Sequence, residues 1–145
     1  MDLKALGKTV PSPVEGADPA LLETLVFAHD AASFAIELVC DEFTALCEVT
    51  GQPDFGTVTI SYEPAGRIVE SKSLKLYLQS YRMERLFHER VINKICRDLV
   101  RALAPRQITV RGVFKSRGGI AICPIAQWVY VKEEELKKAY GGKNS

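Results

Sequence analysis

The stretch TVTISYEPAGRIVESKSLKLYLQSYR, residues 57–82, changes its hydrophobic period partway along and so indicates the fold class. Val58, Ile60 and Tyr62 alternate with polar residues, which is the period of a strand with one buried face. After the turn-forming residues PAG, apolar residues recur at the three- and four-residue spacing of a helix face. These residues are Leu74, Tyr77, Leu78 and Tyr81. The stretch therefore predicts a strand followed by a helix.

The segments on either side repeat the two patterns. SFAIELVC (33–40) alternates like a strand, and so does QITVRGVF (107–114). Between them a second helix is predicted to begin near Phe87 and to stop before Pro105. Its apolar face comprises Val91, Ile92, Ile95, Leu99 and Leu103. The residues KSRGG then predict a turn, and IAICPI (120–125) predicts the start of a returning strand.

The predicted order is strand, strand, helix, helix, strand, strand. Hairpins at both ends favour an α+β fold with an antiparallel four-stranded sheet and both helices on one face. The open edges of such a sheet need partners, so we expect edge-to-edge assembly into a closed ring with sites between subunits. The length of 145 residues predicts a single domain over 1–145. Residues 1–20 are predicted to be an extended arm and 141–145 a frayed tail after a short charged helix.

Composition excludes several classes of protein. Apolar residues make up 47% and charged residues 26%, as in a globular domain. The formal net charge of +1 gives no basis for direct nucleic-acid binding. No apolar run approaches the roughly 18 residues of a membrane span, and no signal peptide is recognisable at the N-terminus. We therefore expect a cytoplasmic protein that does not bind membranes.

The cysteines are Cys40, Cys47, Cys96 and Cys123, and none forms a CxxC pair. With only two histidines in the chain, no zinc-site spacing occurs, and we expect no metal. Cys40, Cys96 and Cys123 fit apolar patterns and are interpreted as small hydrophobic residues. Cys47 differs because it lies in the turn-rich segment LCEVTGQPDFG (46–56).

Three polar segments are candidates for a site, and each also has a purely structural interpretation. In GQPDF, Pro53 and Asp54 suit the second and third positions of a turn, where Asp54 could simply bond its own backbone. In VESKSLK (69–75), the start of a helix offers free N–H groups, or only a cap and a solvated lysine face. In FHER (87–90), His88 and Glu89 could be no more than a satisfied pair at a helix start.

Taken together, these segments resemble the NADPH-dependent 7-cyano-7-deazaguanine reductases, the nitrile reductases of queuosine biosynthesis, in their short single-domain form. The resemblance rests on four motifs in order: FTALCEVTGQPDF (43–55), ESKSLKLYL (70–78), FHE (87–89) and RGGI (117–120). It covers roughly residues 33–122. One departure is visible, since the family usually has proline after its cysteine and this chain has Glu48. A carboxylate at that position is expected to raise the pKa of the neighbouring thiol.

The resemblance implies roles for the residues of these motifs. Cys47 would be the nucleophile that forms a covalent thioimidate with the nitrile, and Asp54 the general acid/base. Glu89 would accept hydrogen bonds from the guanine-like edge of the substrate, with His88 near the reacting end. The further substrate-binding residues implied are Val69, Glu70 and Ser71. The cofactor would be NADPH. Its phosphates would be bound by Lys72, Lys75 and Arg117, and the backbone could approach it closely at Gly118 and Gly119.

The family's fold is the tunnelling fold, which agrees with the element order predicted above. Its subunits close into pentameric barrels that stack in pairs, so a decamer with sites at subunit seams is implied. NADPH rests on the resemblance alone, because the chain has no G-x-G-x-x-G fingerprint.

Alternative functions stay open at this point. One is another tunnelling-fold enzyme, such as a nitrile-to-amidine transferase acting on modified tRNA or a pterin-type cyclohydrolase. The cyclohydrolase requires zinc ligands that this chain lacks. The other is a non-catalytic purine-binding or assembly protein, in which Glu89 would matter and Cys47 would not.

Overall fold

The computed structural model describes residues 17–141. Its strands are β1 (Thr24–Val26), β2 (Ile36–Leu46), β3 (Pro53–Glu63), β4 (Arg67–Val69), β5 (Gln107–Phe114) and β6 (Ile125–Val129). Its helices are α1 (Ser71–Gln79), α2 (His88–Leu103) and α3 (Glu133–Tyr140), with short 3-10 turns at Pro19–Leu21 and Ser80–Met83. No helix within 17–141 combines the length and the apolar character that crossing a membrane requires.

The main sheet has four strands in the order β2-β3-β5-β6, and every neighbouring pair is antiparallel. This confirms the predicted α+β class and its hairpins at both ends. A second, two-stranded sheet pairs β1 with β4. The sequence did not predict it, because strands of three residues are too short to show a period.

The core lies between one face of the main sheet and helices α1 and α2. Both predicted helix faces are buried there, and so are the predicted inward residues of β3: Val58, Ile60, Tyr62, Leu74, Tyr77, Leu78, Tyr81, Val91, Ile92, Ile95, Leu99 and Leu103. Helix α2 ends just before Pro105, as predicted, with Ala104 in the left-handed conformation (φ 44°). Burial of these stripes fixes how the helices lie on the sheet.

Strand β2 is longer than predicted because of a β-bulge. The pairing runs from Cys40 opposite Val58 to Phe43 opposite Gly56, so the two residues between them, 41 and 42, oppose a single residue of β3. The bulge moves the core-facing residues from even to odd numbers, and Phe43 is buried. Alternation therefore breaks after Cys40, and the predicted end of the strand there was wrong.

The returning strand also begins later than predicted. Residues 120–124 follow β5 irregularly, with hydrogen bonds from Phe114 N–H to the Ile122 carbonyl (3.3 Å) and from Gly112 N–H to the Pro124 carbonyl (3.0 Å). Regular pairing starts only at Ile125. Pro124 has no N–H to donate, which accounts for the delayed start.

The predicted turn at Pro53 and Asp54 was wrong as well, since both residues belong to β3. The chain turns earlier, between Cys47 and Gln52. There Gly51 N–H donates to the Cys47 carbonyl (2.9 Å) and Cys47 N–H donates to the Gln52 carbonyl (2.8 Å). Gly51 has a φ of 70°, a conformation that glycine adopts without strain.

Most of the predicted N-terminal arm, residues 1–16, lies outside the described residues, and so do 142–145 of the predicted tail. Ala17, the first described residue of the arm, is held by two hydrogen bonds of its backbone. Ala17 N–H donates to Glu84 Oε1 (2.8 Å), and Lys94 Nζ donates to the Ala17 carbonyl (3.1 Å). Lys94 Nζ also donates to the buried Asp98 (2.6 Å), which accepts a further bond from Tyr77 (2.7 Å).

Candidate active site

A cleft of about 420 Å³ opens where the end of β2, the start of β3, the N-terminus of α2 and the β5–β6 connection meet. Its polar lining residues are Cys47, Glu48, Asp54, His88, Glu89, Lys115 and Arg117. Its apolar lining residues are Leu86, Phe87, Ile120 and Ile122. The cleft thus brings together the thiol, the carboxylate and the histidine–glutamate pair that the sequence singled out.

Cys47 lies half-buried at the start of the turn after β2. Hydrogen bonds from the side chain and backbone of Thr50, together with bonds from Arg117 and from the Val49 backbone, lower the pKa of Cys47 to about 6. Gln52 N–H donates to the Thr50 hydroxyl oxygen (3.3 Å), so that oxygen is held while its own proton stays free to donate. At pH 7 the sulfur is therefore mostly thiolate, the form that acts as a nucleophile.

The expected effect of Glu48 on the thiol was wrong. The Glu48 carboxylate accepts a hydrogen bond from Phe87 N–H (3.2 Å) and lies 3.8 Å from the Arg90 guanidinium. It thus satisfies the N-terminus of α2, where a negative charge is favourable. The pKa of Cys47 is lowered, and Glu48 is not among its causes.

Asp54 is buried, with 6% of its surface exposed, because it lies on the same face of β3 as Val58 and Ile60. Its Oδ2 lies 3.1 Å from His88 Nε2, and its Oδ1 contacts the guanidinium of Arg117. A buried carboxylate needs such partners, since desolvation otherwise disfavours the charge. Asp54 is thus a fixed wall residue of the cleft in β3 rather than a residue of the predicted turn.

His88 is the first residue of α2 and packs against the Phe114 ring, with 3.9 Å between ring centroids. Burial lowers the pKa of His88, although the charge of Glu89 acts in the opposite direction. The ring is neutral at pH 7, and Nε2 donates to the Asp54 carboxylate, which can only accept. Nδ1 then carries a buried lone pair with no hydrogen-bond partner among the described residues.

Glu89 lies in the first turn of α2, exposed, on the rim of the cleft. Across residues 17–141 its carboxylate makes no side-chain hydrogen bond and no ion pair within the chain. Its neighbour His88 is committed to Asp54. Glu89 is therefore a free acceptor pair, which the structural interpretation of FHER as a satisfied pair did not predict.

The segment 69–75 does not reach this cleft within one chain. The Glu70 carboxylate caps α1, accepting from Lys72 N–H and Ser73 N–H (both 2.8 Å), and these bonds lower the pKa of Glu70. Val69 is buried, and its N–H donates to the Tyr62 hydroxyl (3.0 Å). Ser71 and Lys75 line a different cavity of about 340 Å³ between β2 and α1.

Sequence reasoning missed some residues of the site and assigned another differently. Thr50 and Lys115 were not considered, and Arg117 was assigned only to cofactor phosphates. The role of Thr50 depends on the turn geometry, which the misplaced turn at Pro53 concealed. Phe87, Ile120 and Ile122 supply the apolar walls. A signal for them existed, since a planar substrate requires such walls next to the polar groups.

Comparisons with known proteins identify the family of this chain. The family model of QueF-like proteins matches residues 53–134. A protein of Helicobacter pylori named NADPH-dependent 7-cyano-7-deazaguanine reductase is 46% identical over 138 residues, which is 95% of this chain and 93% of that protein. The chain belongs to this family. Its relatives of the same name include proteins of Helicobacter acinonychis, 46% identical with the same coverage, and Bacteroides fragilis, 47% identical over 76% of this chain and 73% of that one.

The family's fold is also found in a solved structure. The crystal structure of the archaeosine synthase QueF-Like in the apo form has a TM-score of 0.62 at 19% identity. It covers 68% of this chain and 96% of that one. At this identity the likeness shows the fold, which confirms the predicted tunnelling fold for the single chain.

The cleft of this family member suits a dinucleotide better than a metal. Within 17–141, no group of three or more His, Cys, Asp or Glu side chains is arranged to hold a metal ion. Lys115 and Arg117 place two cations on the cleft beside apolar walls, a combination that fits phosphate groups and a flat ring. Gly118 and Gly119, which lie between Arg117 and Ile120 in the chain, have positive φ (57° and 80°) and no side chain to obstruct a ligand.

Proposed function

We propose that the chain catalyses the NADPH-dependent reduction of the nitrile of 7-cyano-7-deazaguanine to the primary amine, 7-aminomethyl-7-deazaguanine, in queuosine biosynthesis. The names of its close relatives support the reaction. The observation that carries the proposal is the Cys47 thiol with a pKa of about 6, in one cleft with the buried Asp54. A nucleophile and an acid/base group side by side are what addition to a nitrile requires.

In the first step the Cys47 sulfur attacks the nitrile carbon. A sulfur–carbon bond forms, and one π bond of the nitrile becomes a lone pair on nitrogen, which takes up a proton. Because Cys47 attacks as a thiolate, this proton comes from solvent, and Asp54 is the group that relays it. His88 Nε2, 3.1 Å from Asp54 Oδ2, keeps the carboxyl group turned toward the cleft. The product of the step is a thioimidate on Cys47.

NADPH, when bound, supplies the two hydrides that the conversion of a nitrile to a primary amine requires. Lys115 and Arg117 are the cations of the cleft that could bind its phosphates. After the first reduction the carbon–sulfur bond breaks and Cys47 leaves as a thiolate. The lowered pKa of Cys47 favours this departure as well as the attack.

Recognition of the substrate falls to the start of α2. A guanine-like ring presents an N–H and an NH₂ side by side, and the free Glu89 carboxylate can accept from both. Phe87 and Ile120, exposed at 46% and 69%, provide apolar contact for the ring faces.

We further propose that the working form is an oligomer, a decamer of two stacked pentamers, with each single-domain chain contributing to two sites. Within residues 17–141 the β2 and β6 edges of the main sheet have no further partner strand, so they could pair with other copies. Val69, Glu70, Ser71, Lys72 and Lys75 would then reach the cleft of a neighbouring copy. A cytoplasmic location completes this proposal.

Intact-mass measurement tests the chemistry directly. Incubation with 7-cyano-7-deazaguanine without NADPH should add the mass of one substrate per chain. Cys47→Ala should show no adduct, whereas Cys96→Ala and Cys123→Ala should keep it. Adduct on the Cys47→Ala protein would overturn the proposed nucleophile, and a protein that binds purines without catalysis would show none in any variant.

A second measurement separates the reductase from an amidine transferase, which could form the same adduct. Adding NADPH to the adduct should release the free enzyme and consume two NADPH per amine formed. Release by ammonia with no NADPH oxidation would favour the transferase.

A further inference from the structure

Arg117 makes contacts that a role in binding cofactor phosphates does not explain. The resemblance assigns it to cofactor phosphates, yet its guanidinium contacts Asp54 Oδ1 and also hydrogen-bonds to Cys47. One side chain thus touches both groups that act on the nitrile. We propose that Arg117 is a catalytic residue that binds Cys47 and Asp54 together and supports formation of the thioimidate before any cofactor is needed. This inference rests on the proposed function.

The backbone around Arg117 is built for such a position. Arg117 and Ile120 exchange two hydrogen bonds, of 2.9 and 3.0 Å, across Gly118 and Gly119. Both glycines have positive φ, the combination of a tight two-residue hairpin turn. On the other side, Lys115 N–H donates to the carbonyl of Phe55 (3.0 Å), the residue after Asp54. The segment is therefore fastened to β3 beside the carboxylate that Arg117 contacts.

The balance of charge in the cleft gives Arg117 a role that no other residue there fills. The charged and titratable side chains facing the cleft are Glu48, Asp54, His88, Glu89, Lys115 and Arg117, together with Cys47 itself. Glu48 is turned to Phe87 and Arg90, and burial lowers the pKa of His88 so that its ring is neutral. Lys115 makes no ion pair within the described part of the chain.

A thiolate and a carboxylate in one cleft repel each other, and each disfavours the ionised form of the other. A guanidinium between them offsets this repulsion, and its planar fork can bond to two groups at once. Arg117 makes both contacts in this structure. It therefore acts on the adding nucleophile and on the proton relay, which are used before hydride transfer.

Experiments without cofactor can distinguish the proposed role of Arg117 from the binding of cofactor phosphates. A ligand for NADPH phosphates alone would have no effect on reactions run without cofactor. A residue that holds Cys47 and Asp54 would change them. The variants are Arg117→Met and Arg117→Lys, and the matched control is Arg111→Met, which removes an exposed arginine of β5 outside the cleft.

Two measurements are made without NADPH: the pH dependence of Cys47 alkylation by iodoacetamide, and the rate of adduct formation with the nitrile base. In Arg117→Met we expect the alkylation midpoint to move to higher pH and adduct formation at pH 6.5 to slow by about three- to tenfold, since each pKa unit changes the thiolate fraction up to tenfold. Arg117→Lys should fall between, and Arg111→Met should match the wild type. Thermal melts check that each variant is folded.

Unchanged alkylation and adduct formation in Arg117→Met, with weaker binding of NADPH in a titration, would overturn the proposal and leave Arg117 a phosphate ligand only. If the wild type itself forms no adduct with the nitrile base, the proposed function fails instead. The alkylation profiles would still report whether Arg117 acts on Cys47.

Discussion

Asp54 and His88 lie 3.1 Å apart, joined by one hydrogen bond from the first residue of α2 to the second residue of β3. Because Arg117 occupies the other carboxylate oxygen, both oxygens of Asp54 have partners of different kinds. One partner is a neutral ring and the other a permanent cation. The carboxylate is therefore fixed in orientation. Its bond to His88 also joins the sheet, which carries Asp54, to helix α2 at the cleft.

Replacing Asp54 by asparagine should separate proton transfer from folding. We expect reduction to slow by about 10²–10⁴, the usual contribution of general acid–base catalysis. Since Asp54 is buried with 6% exposed, a stability loss of about 1–3 kcal/mol is expected too, from mismatched hydrogen bonds. Steady-state rates and urea unfolding measure the two effects, with the exposed Asp30→Asn as control. Wild-type turnover in Asp54→Asn would show that the residue is only structural.

Thr50 should control how acidic Cys47 is. Its hydrogen bonds stabilise the thiolate and are the largest cause of the lowered pKa, so Thr50→Val should raise the pKa of Cys47 from about 6. Thr50→Ser keeps the hydroxyl and should keep the low value. Iodoacetamide alkylation between pH 5 and pH 9 measures the midpoint. Identical profiles for the valine and serine variants would exclude the Thr50 side chain as a donor.

Glu89 should determine affinity for the purine. Glu89→Gln replaces one acceptor with a donor that faces a substrate donor, at a cost of roughly 2–4 kcal/mol of binding. That equals about 30- to 1000-fold in affinity. Calorimetric titration of the nitrile base into Cys47→Ala, with and without Glu89→Gln, measures binding free of the covalent step. The exposed Glu134→Gln on α3 is the matched control, and equal dissociation constants throughout would rule out Glu89 as the anchor.

Asp98 should matter for stability and leave the thiol unaffected. It is 3% exposed and bonds to Tyr77 and Lys94, so Asp98→Ala leaves a partly buried lysine without its counter-charge. We expect a loss of about 3–5 kcal/mol in the free energy of unfolding. The alkylation profile of Cys47 should be unchanged, because Asp98 does not line the cleft. A shifted profile would mean that this buried network reaches the site.

Periodic segments of the fold could be predicted from sequence, and irregular ones could not. The apolar faces of β3, α1 and α2 are buried as predicted, because burial of one face imposes a period directly on the sequence. The end of β2 and the start of β6 were misplaced, since a bulge and Pro124 break the period without ending the association of the strands. Such breaks depend on pairing between distant segments.

The residues of the site also fall into those that could be predicted from sequence and those that could not. Cys47, Asp54, His88 and Glu89 could be named because their chemistry and motifs are local. The contact of Arg117 with Asp54 joins residues far apart in the chain, and the hydrogen bond from Thr50 to Cys47 depends on the turn between Cys47 and Gln52. Residues 69–75 show a different limit of prediction from sequence. Their motif could be recognised, but within one chain it does not lie at the cleft.

The bulge in β2 has a consequence for how this gene can vary in length. Deleting one residue within either half of the strand, for example between Leu38 and Cys40 or between Phe43 and Ala45, would turn the residues on one side of the deletion outward, whereas deleting one of the two bulge residues would only restore regular pairing with β3. The second half leads straight into Cys47. Insertions and deletions of a single residue within the regularly paired halves should therefore be rare among functional variants, while loss of one bulge residue and substitutions on the outer face, such as at Val39, should be tolerated. Outside the bulge, selection along this strand acts more strictly on the number of residues than on their identity.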